Sequence, residues 1–219
     1  DRLDRVVDEF RRILVSDFQG ITEINDYLLQ VRGKLFRPCL TLLCDQVDGE
    51  RSDGAETLAA VIELIHLATL VHDDAVDHSV LRRGMPTINA MWSHQVSIIM
   101  GDYLYSRSIS ELARLGDIEP VRILAATSNS MSVGELRQLA SFDALDFTEN
   151  DYYQLIECKT ASLISAACEL GSLNLSEQLQ PRLKRFGYEL GMAFRIADDL
   201  LDYTADEEDI GKPAGLDLR

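Results

Sequence analysis

The sequence predicts an all-α protein, a single-domain bundle of long antiparallel helices around a central cavity. Three observations lead there. Apolar residues recur at three- and four-residue spacing over long segments, the period of a helix with one buried face. No stretch reads convincingly as a strand, and there is no short-period repeat, low-complexity tract or glycine-rich phosphate loop. Two apolar segments run into the same pattern, Asp-Asp-x-x-Asp, at residues 73–77 and 198–202, about 125 residues apart.

Composition narrows the class. The chain has 219 residues, 46% of them hydrophobic, enough for one substantial helical core. A net charge of −16 argues against nucleic acid as a partner, so cations that matter must act locally. Cys39, Cys44, Cys158 and Cys168 form no CxxC pair, which points to free thiols in the cytoplasm rather than zinc or disulfides. No signal peptide is visible. The longest apolar run contains Glu63 and His66, so no transmembrane segment is expected. The chain begins without Met, and a trimmed N-terminus is expected.

Taken in order, Leu3, Val6, Val7, Phe10, Ile13 and Leu14 give residues 1–15 an apolar helical stripe suited to packing. A short segment follows over residues 24–31. Gly33 allows close backbone approach, and Pro38 suits the first turn of a helix over 39–47. Lys34 and Arg37 flank that helix start, where the dipole also favours an anion. A loop over 47–54 leads to a central helix at 55–76. Met85, Pro86 and Thr87 break the chain before a long helix over 89–115, which carries Gly101 and Asp102. The next helix, 119–142, contains Gly134, Glu135 and Gln138. A glycine inside a helix costs about 1 kcal/mol relative to Ala, so Gly134 predicts a tight crossing. After a loop at 142–146, Thr148, Glu149 and Asp151 start a helix that runs to 170 through Lys159 and Thr160, with Gly171 as its C′ residue. Pro181 begins the last helix, where Gly187 and Gly191 predict close packing. Residues 211–215 form a flexible basic loop containing Lys212.

The acidic patterns carry the chemistry. On a helix, Asp73 and Asp77 sit at i and i+4, as do Asp198 and Asp202, so each pair projects from one face. Like charges at that spacing repel, more so where water is excluded, and no Lys or Arg on the same turn relieves Asp73 and Asp77. One such cluster could be a solvated helix end; two after apolar runs point to divalent cations on carboxylate oxygens, which suits Mg²⁺. Several such ions imply a ligand rich in negative oxygens, usually a diphosphate. Lys34, Arg37, His66 and Arg83 form a separate cationic set for a second such group without metal. Two diphosphate sites beside an apolar channel describe ionisation of an allylic diphosphate followed by attack of an alkene, with water kept from the carbocation.

These motifs, in this order, resemble the trans-isoprenyl diphosphate synthases, or polyprenyl synthases: Gly33, Lys34, Arg37 and Pro38; His66; the cluster at 73–77; Arg82, Arg83, Gly84, Pro86 and Thr87; Gly101, Asp102 and Tyr103; Gly134, Glu135 and Gln138; Lys159 and Thr160; Phe194 and the cluster at 198–202; and Gly211, Lys212, Pro213, Gly215, Asp217 and Leu218. The resemblance implies the isoprenoid synthase fold and a homodimer. It implies three Mg²⁺ ions, for which Mn²⁺ can substitute, on Asp73, Asp77 and Asp198, supported by Asp74, Asp199 and Asp202. Arg82, Lys159 and Lys212 would meet the allylic prenyl diphosphate, and Lys34, Arg37, His66 and Arg83 would hold isopentenyl diphosphate. Gln138 and Thr160 join the substrate-binding set. Ala68 and Thr69, five and four residues before the first Asp, would lie beneath the growing tail; both are small, so the expected product is a long all-trans polyprenyl diphosphate, with transient membrane contact at its release. A product of geranylgeranyl or farnesyl length is the alternative.

The chain departs from the family at Arg32, at Leu35, and at Arg195, where Gln is usual. It stops at Arg219, where the family continues with further helices, so a chain lacking C-terminal helices is expected. A terpene cyclase would need Ser or Thr and Glu where Gln154 and Cys158 stand. A metal phosphohydrolase would need His ligands that His66, His78 and His94 do not supply at suitable spacing. A non-catalytic partner subunit of a heteromeric synthase would usually have lost an Asp cluster, and both are intact here.

Overall fold

A computed structural model describes residues 1–30, 33–141 and 147–204, apart from the side chain of residue 203. The expected all-α architecture is what forms. The elements are α1 (Arg2–Leu14), α2 (Gln19–Gln30), α3 (Phe36–Asp45), α4 (Ala55–Val76), β1 (Leu81–Arg82), β2 (Met85–Pro86), α5 (Ile88–Met91), α6 (His94–Arg114), α7 (Ile118–Ser141), α8 (Glu149–Ile156), a π-helical turn (Glu157–Ala161), α9 (Ser162–Gly171) and α10 (Gln180–Thr204).

Two helices make the interior. α4 is surrounded by α1, α3, α6 and α9, and α9 in turn packs against α3, α7 and α10. Ile62, Leu64, Ile65, Leu163, Ile164 and Leu170 are almost wholly buried. Each removes apolar surface worth roughly 1.5–3 kcal/mol from water. α4 is long and apolar enough to cross a membrane by length and composition alone; here it is the core helix of the bundle.

α1 behaves as its stripe predicts. Val6, Ile13 and Leu14 face the core, and Asp1 caps the helix by accepting from the Asp4 N–H at 2.9 Å. On its polar side Arg2 joins Asp45 at 2.7 Å and Glu56 at 2.9 Å, tying α1 to α3 and α4.

The structure corrects four local expectations. The helix over 89–115 is two helices. Ser93 turns extended (φ −167°, ψ 166°) and its hydroxyl accepts from the Val96 N–H at 3.2 Å, so a new N-cap starts α6. The helix over 148–170 is interrupted by the π turn. A two-stranded hairpin exists after all, pairing Leu81 with Pro86 and Arg82 with Met85. Its two-residue turn is Arg83 and Gly84, both at positive φ (52° and 76°), the backbone that a tight hairpin requires. Gly171 does not act as a left-handed C′ residue; it is the last residue of α9, and Ser172 is the C-cap. The loops at 142–146 and 211–215, Lys212 among them, lie outside the described residues.

Gly171 is there for space. A Cβ on it would stand 2.1 Å from the Thr41 carbonyl oxygen and 2.9 Å from Cys44 Cβ, so α9 and α3 touch through their backbones. Gly134, Gly187 and Gly191 serve the same end, against Cys158, Ile164 and Ala161. Helix propensity alone predicts that Gly171→Ala gains about 1 kcal/mol. The close approach predicts a loss of about 1–3 kcal/mol from overpacking. Urea unfolding is expected to show that loss, and an unchanged or raised midpoint would contradict the packing account.

Candidate active site

The first acidic cluster occupies the last turn of α4. Asp73 is half-buried, Asp74 is 6% exposed, and Asp77 is the exposed C-cap. The three carboxylates do not share one environment. Asp74 faces the hairpin, where Arg82 Nε reaches both its oxygens at 2.9 Å and Arg82 Nη2 approaches Oδ1 at 2.8 Å. The counter-charge missing from the helix turn therefore comes from the next element. Asp73 is different. Burial pushes its carboxyl up to about 6; Lys159 and Arg82 oppose the shift, and Glu135 and Asp77 reinforce it.

His72, beside the cluster, fixes this turn against α6. Its ring occupies the space that a side chain at Gly101 would take, since a Cβ there would stand 2.3 Å from Nε2. Nε2 lies 3.1 Å from the Ile98 carbonyl oxygen and 3.3 Å from Asp102 Oδ1.

Lys159 projects from the π turn, a local unwinding that often marks functional positions in helices. Its ammonium donates to Gln138 Oε1 at 2.6 Å and pairs with Glu135 Oε2 at 2.6 Å. Gly134 makes this approach possible, because a Cβ there would stand 2.6 Å from Cys158 Cβ. Thr160 follows, half-buried.

On α10 the second cluster divides in the same way. The Asp198 side chain is half exposed. Asp199 accepts from the Tyr152 hydroxyl at 2.7 Å and meets Arg195 Nη2 at 2.8 Å, while Arg195 Nη1 is 4.0 Å from Asp198. Burial, with Asp199 adding to it, pushes the Tyr152 hydroxyl up to about 12, so it remains a donor. Asp202, one turn beyond Asp198, is only 3% exposed. Among the described residues, no three His, Cys, Asp or Glu side chains converge as a ready-made metal cage.

The cationic residues line one cavity of about 420 Å³ between α1, α2, α3, α4 and the hairpin. Lys34 and Arg37 come from the start of α3, His66 from α4, and Arg83 from the hairpin tip. Phe194 of α10 also lines it and stacks on Phe36 with ring centroids 5.7 Å apart. Apolar residues such as Val6, Phe10, Leu67 and Leu70 also line it. Leu35 is the left-handed N-cap of α3 (φ 51°) and makes no side-chain cap, so the first N–H groups of that helix have no side-chain acceptor there. Arg37 Nε is shielded from solvent without a partner among the described residues.

His66 does not belong in the cationic set. Burial holds its imidazole well below the ordinary histidine range, and Arg37, Arg83 and Arg82 push it the same way. It is neutral at pH 7. The same cavity contains Glu63, absent from the site expected from the sequence. Its one sequence signal is a carboxylate three residues before His66 in an otherwise apolar helix.

The two residues expected beneath the growing tail differ in exposure. Thr69 lies on the Asp73 side of α4, half-buried, its hydroxyl donating to the His66 carbonyl at 2.8 Å. Ala68 is 2% exposed, within the hydrophobic core.

The family model for polyprenyl synthetase matches residues 18–219. A heptaprenyl diphosphate synthase component 2 of Geobacillus stearothermophilus is 40% identical over the whole chain, which spans 69% of that protein. An octaprenyl diphosphate synthase of Escherichia coli is 37% identical over 94% of the chain and 64% of its own length. Among solved structures, a decaprenyl diphosphate synthase from Rhodobacter capsulatus superposes with a TM-score of 0.93 at 39% identity, covering 100% of this chain and 68% of that one. A polyprenyl synthase from Caulobacter crescentus, complexed with calcium and isoprenyl diphosphate, gives 0.92 at 34% identity, covering 100% and 67%. The chain belongs to the polyprenyl synthetase family of trans-prenyltransferases.

Proposed function

We propose that the protein condenses isopentenyl diphosphate with an allylic prenyl diphosphate to make a long all-trans polyprenyl diphosphate. The observation that carries this reading is the separation of two anion sites: carboxylates open to a cation on α4 and α10, and a cation-lined cavity beside them. The carboxylates fit a divalent metal. Asp73 and Asp77 offer hard oxygen donors from one helix face, and the Asp73 carboxyl is raised by burial and like charge, a strain that a cation relieves. With no closed cage among the described residues, a divalent ion held there would also take oxygens of the substrate. Asp73, Asp77 and Asp198 would hold three Mg²⁺ ions, or Mn²⁺ in their place, with Asp74, Asp199 and Asp202 in support. Bound there, the metal supplies positive charge that stabilises the departing diphosphate.

The chain's own groups do the rest. Lys159, held by Glu135 and Gln138, places an ammonium beside Asp73 for the same diphosphate, and Arg82 reaches it from the hairpin. Lys34, Arg37 and Arg83 grip isopentenyl diphosphate, and neutral His66 adds a hydrogen bond without adding charge. Apolar walls exclude water from the carbocation until the new bond forms and a proton leaves. The solved relative that is complexed with calcium and isoprenyl diphosphate supports this ligand class. The protein works in the cytoplasm as a homodimer, touching membrane only to release product. A second reading is favoured by one finding, the name component 2 of the Geobacillus relative. Under it, turnover would require a second, different chain.

Asp73→Ala and Asp198→Ala are each expected to lower turnover by at least a hundredfold while the far-ultraviolet circular dichroism stays helical. Product chromatography with Mg²⁺ present checks this, and near-normal turnover by either variant would overturn the assignment. Arg195 competes with metal for the second cluster, so Arg195→Gln is expected to lower the half-saturating Mg²⁺ concentration several-fold. An unchanged titration would make Arg195 a bystander. Thr69→Phe puts a ring beneath Asp73 and is expected to shorten the product by several isoprene units. Ala68→Phe is expected to shorten it too, with about 1–3 kcal/mol lost to overpacking. A wild type that stops at C15 or C20, or unchanged product length in both variants, would contradict the long-chain reading.

A further inference from the structure

Glu63 is the one carboxylate of α4 set deep in the cation-lined cavity away from the acidic cluster. It lies three residues before His66, so both side chains leave α4 on the same side. Its Oε1 sits 3.1 Å from the point where a Cβ on Gly33 would stand, and Arg83 Nη1 is 3.6 Å from that same point. Its Oε2 is buried without a hydrogen-bond partner among the described residues, and so is Nε of Arg37. A buried donor and a buried acceptor, each unmatched, therefore line one cavity.

We infer that Glu63 is a positioning residue for the isopentenyl diphosphate site, holding the guanidinium groups of Arg37 and Arg83 from behind so that their outer nitrogens face the incoming anion. This rests on the function proposed above. The Arg37 guanidinium, its Nε shielded from solvent, is repelled by that of Arg83 on the exposed hairpin tip. Burial pushes the Glu63 carboxyl up and the Arg37 guanidinium down; the attraction between them opposes both shifts, and Arg83 adds to it at Glu63. A guanidinium has five donors in a fixed fork. If Nε is directed at Glu63, the terminal nitrogens are left for a bidentate grip on phosphate oxygens. Burial of an unmatched donor and acceptor is costly, so the pair is poised to close when a diphosphate draws the arginines into place.

The test is steady-state kinetics of Glu63→Gln, which keeps shape and removes charge, with each substrate varied in turn. The KM for isopentenyl diphosphate is expected to rise about tenfold, equivalent to about 1.4 kcal/mol. The KM for the allylic substrate and kcat are expected to stay within about twofold. Glu63→Asp keeps the charge one methylene further back and is expected to raise the same KM only about threefold. If the glutamine variant fails to fold, the aspartate variant carries the test alone. An unchanged or lowered KM for isopentenyl diphosphate, or an equal rise for both substrates, overturns the positioning role. No turnover by the wild type with these substrates overturns the reading beneath it instead.

Discussion

Everything in this structure depends on placing carboxylates at the end of a helix whose body must be buried. α4 supplies the centre of the core through Ile62, Leu64 and Ile65, and its last turn carries Asp73, Asp74 and Asp77. Burial penalises the charge of Asp73, and the surrounding elements answer one by one. The hairpin turns back so that Arg82 can hold Asp74. The π turn brings Lys159 within electrostatic range of Asp73. Gly101 opens a notch in α6 so that His72 can anchor the turn. A chain of net charge −16 thus concentrates cations around one place. Asp73 is still left with a carboxyl raised to about 6, and that residual cost is where a bound cation has its largest effect.

The cavity beside it solves a different problem. Arg37, Arg83 and Lys34 gather positive charge with no acidic cluster to absorb it, and the neutral imidazole of His66 adds none to it. Among the described residues, the carboxylates lining it are Glu63 and Asp74, and Arg82 already holds Asp74. Under the proposed function the two sites would take anions of the same kind by opposite means, one through metal and one through guanidinium and ammonium.

Much of this was legible because it rests on spacing. The bounds of α4, the packing stripe of α1 and the crossings at Gly134, Gly187 and Gly191 follow from periodicity and from the penalty on interior glycine. The acidic clusters and their i, i+4 pairing are visible in the same way. What escaped depends on contacts that spacing does not encode. Ser93 caps α6 because the chain has to turn there, although the apolar pattern runs straight through. The π turn at 157–161 lies where Cys158 packs close against Gly134 of α7. Arg83 adopts a left-handed backbone that its side chain does not favour, and only the pairing of Leu81 with Pro86 shows why. The neutrality of His66 and the place of Glu63 follow from desolvation, which exists only once the helices have packed.

The central claim is that one diphosphate is bound through metal and the other without it. Calorimetric titration of the protein with isopentenyl diphosphate and, separately, with an unreactive allylic thiodiphosphate tests it directly, each in Mg²⁺ and in EDTA. The account predicts that isopentenyl diphosphate binds with similar affinity in both buffers, while the allylic analogue loses most of its affinity in EDTA. Equal metal dependence for the two ligands, or allylic binding that survives EDTA undiminished, would contradict it.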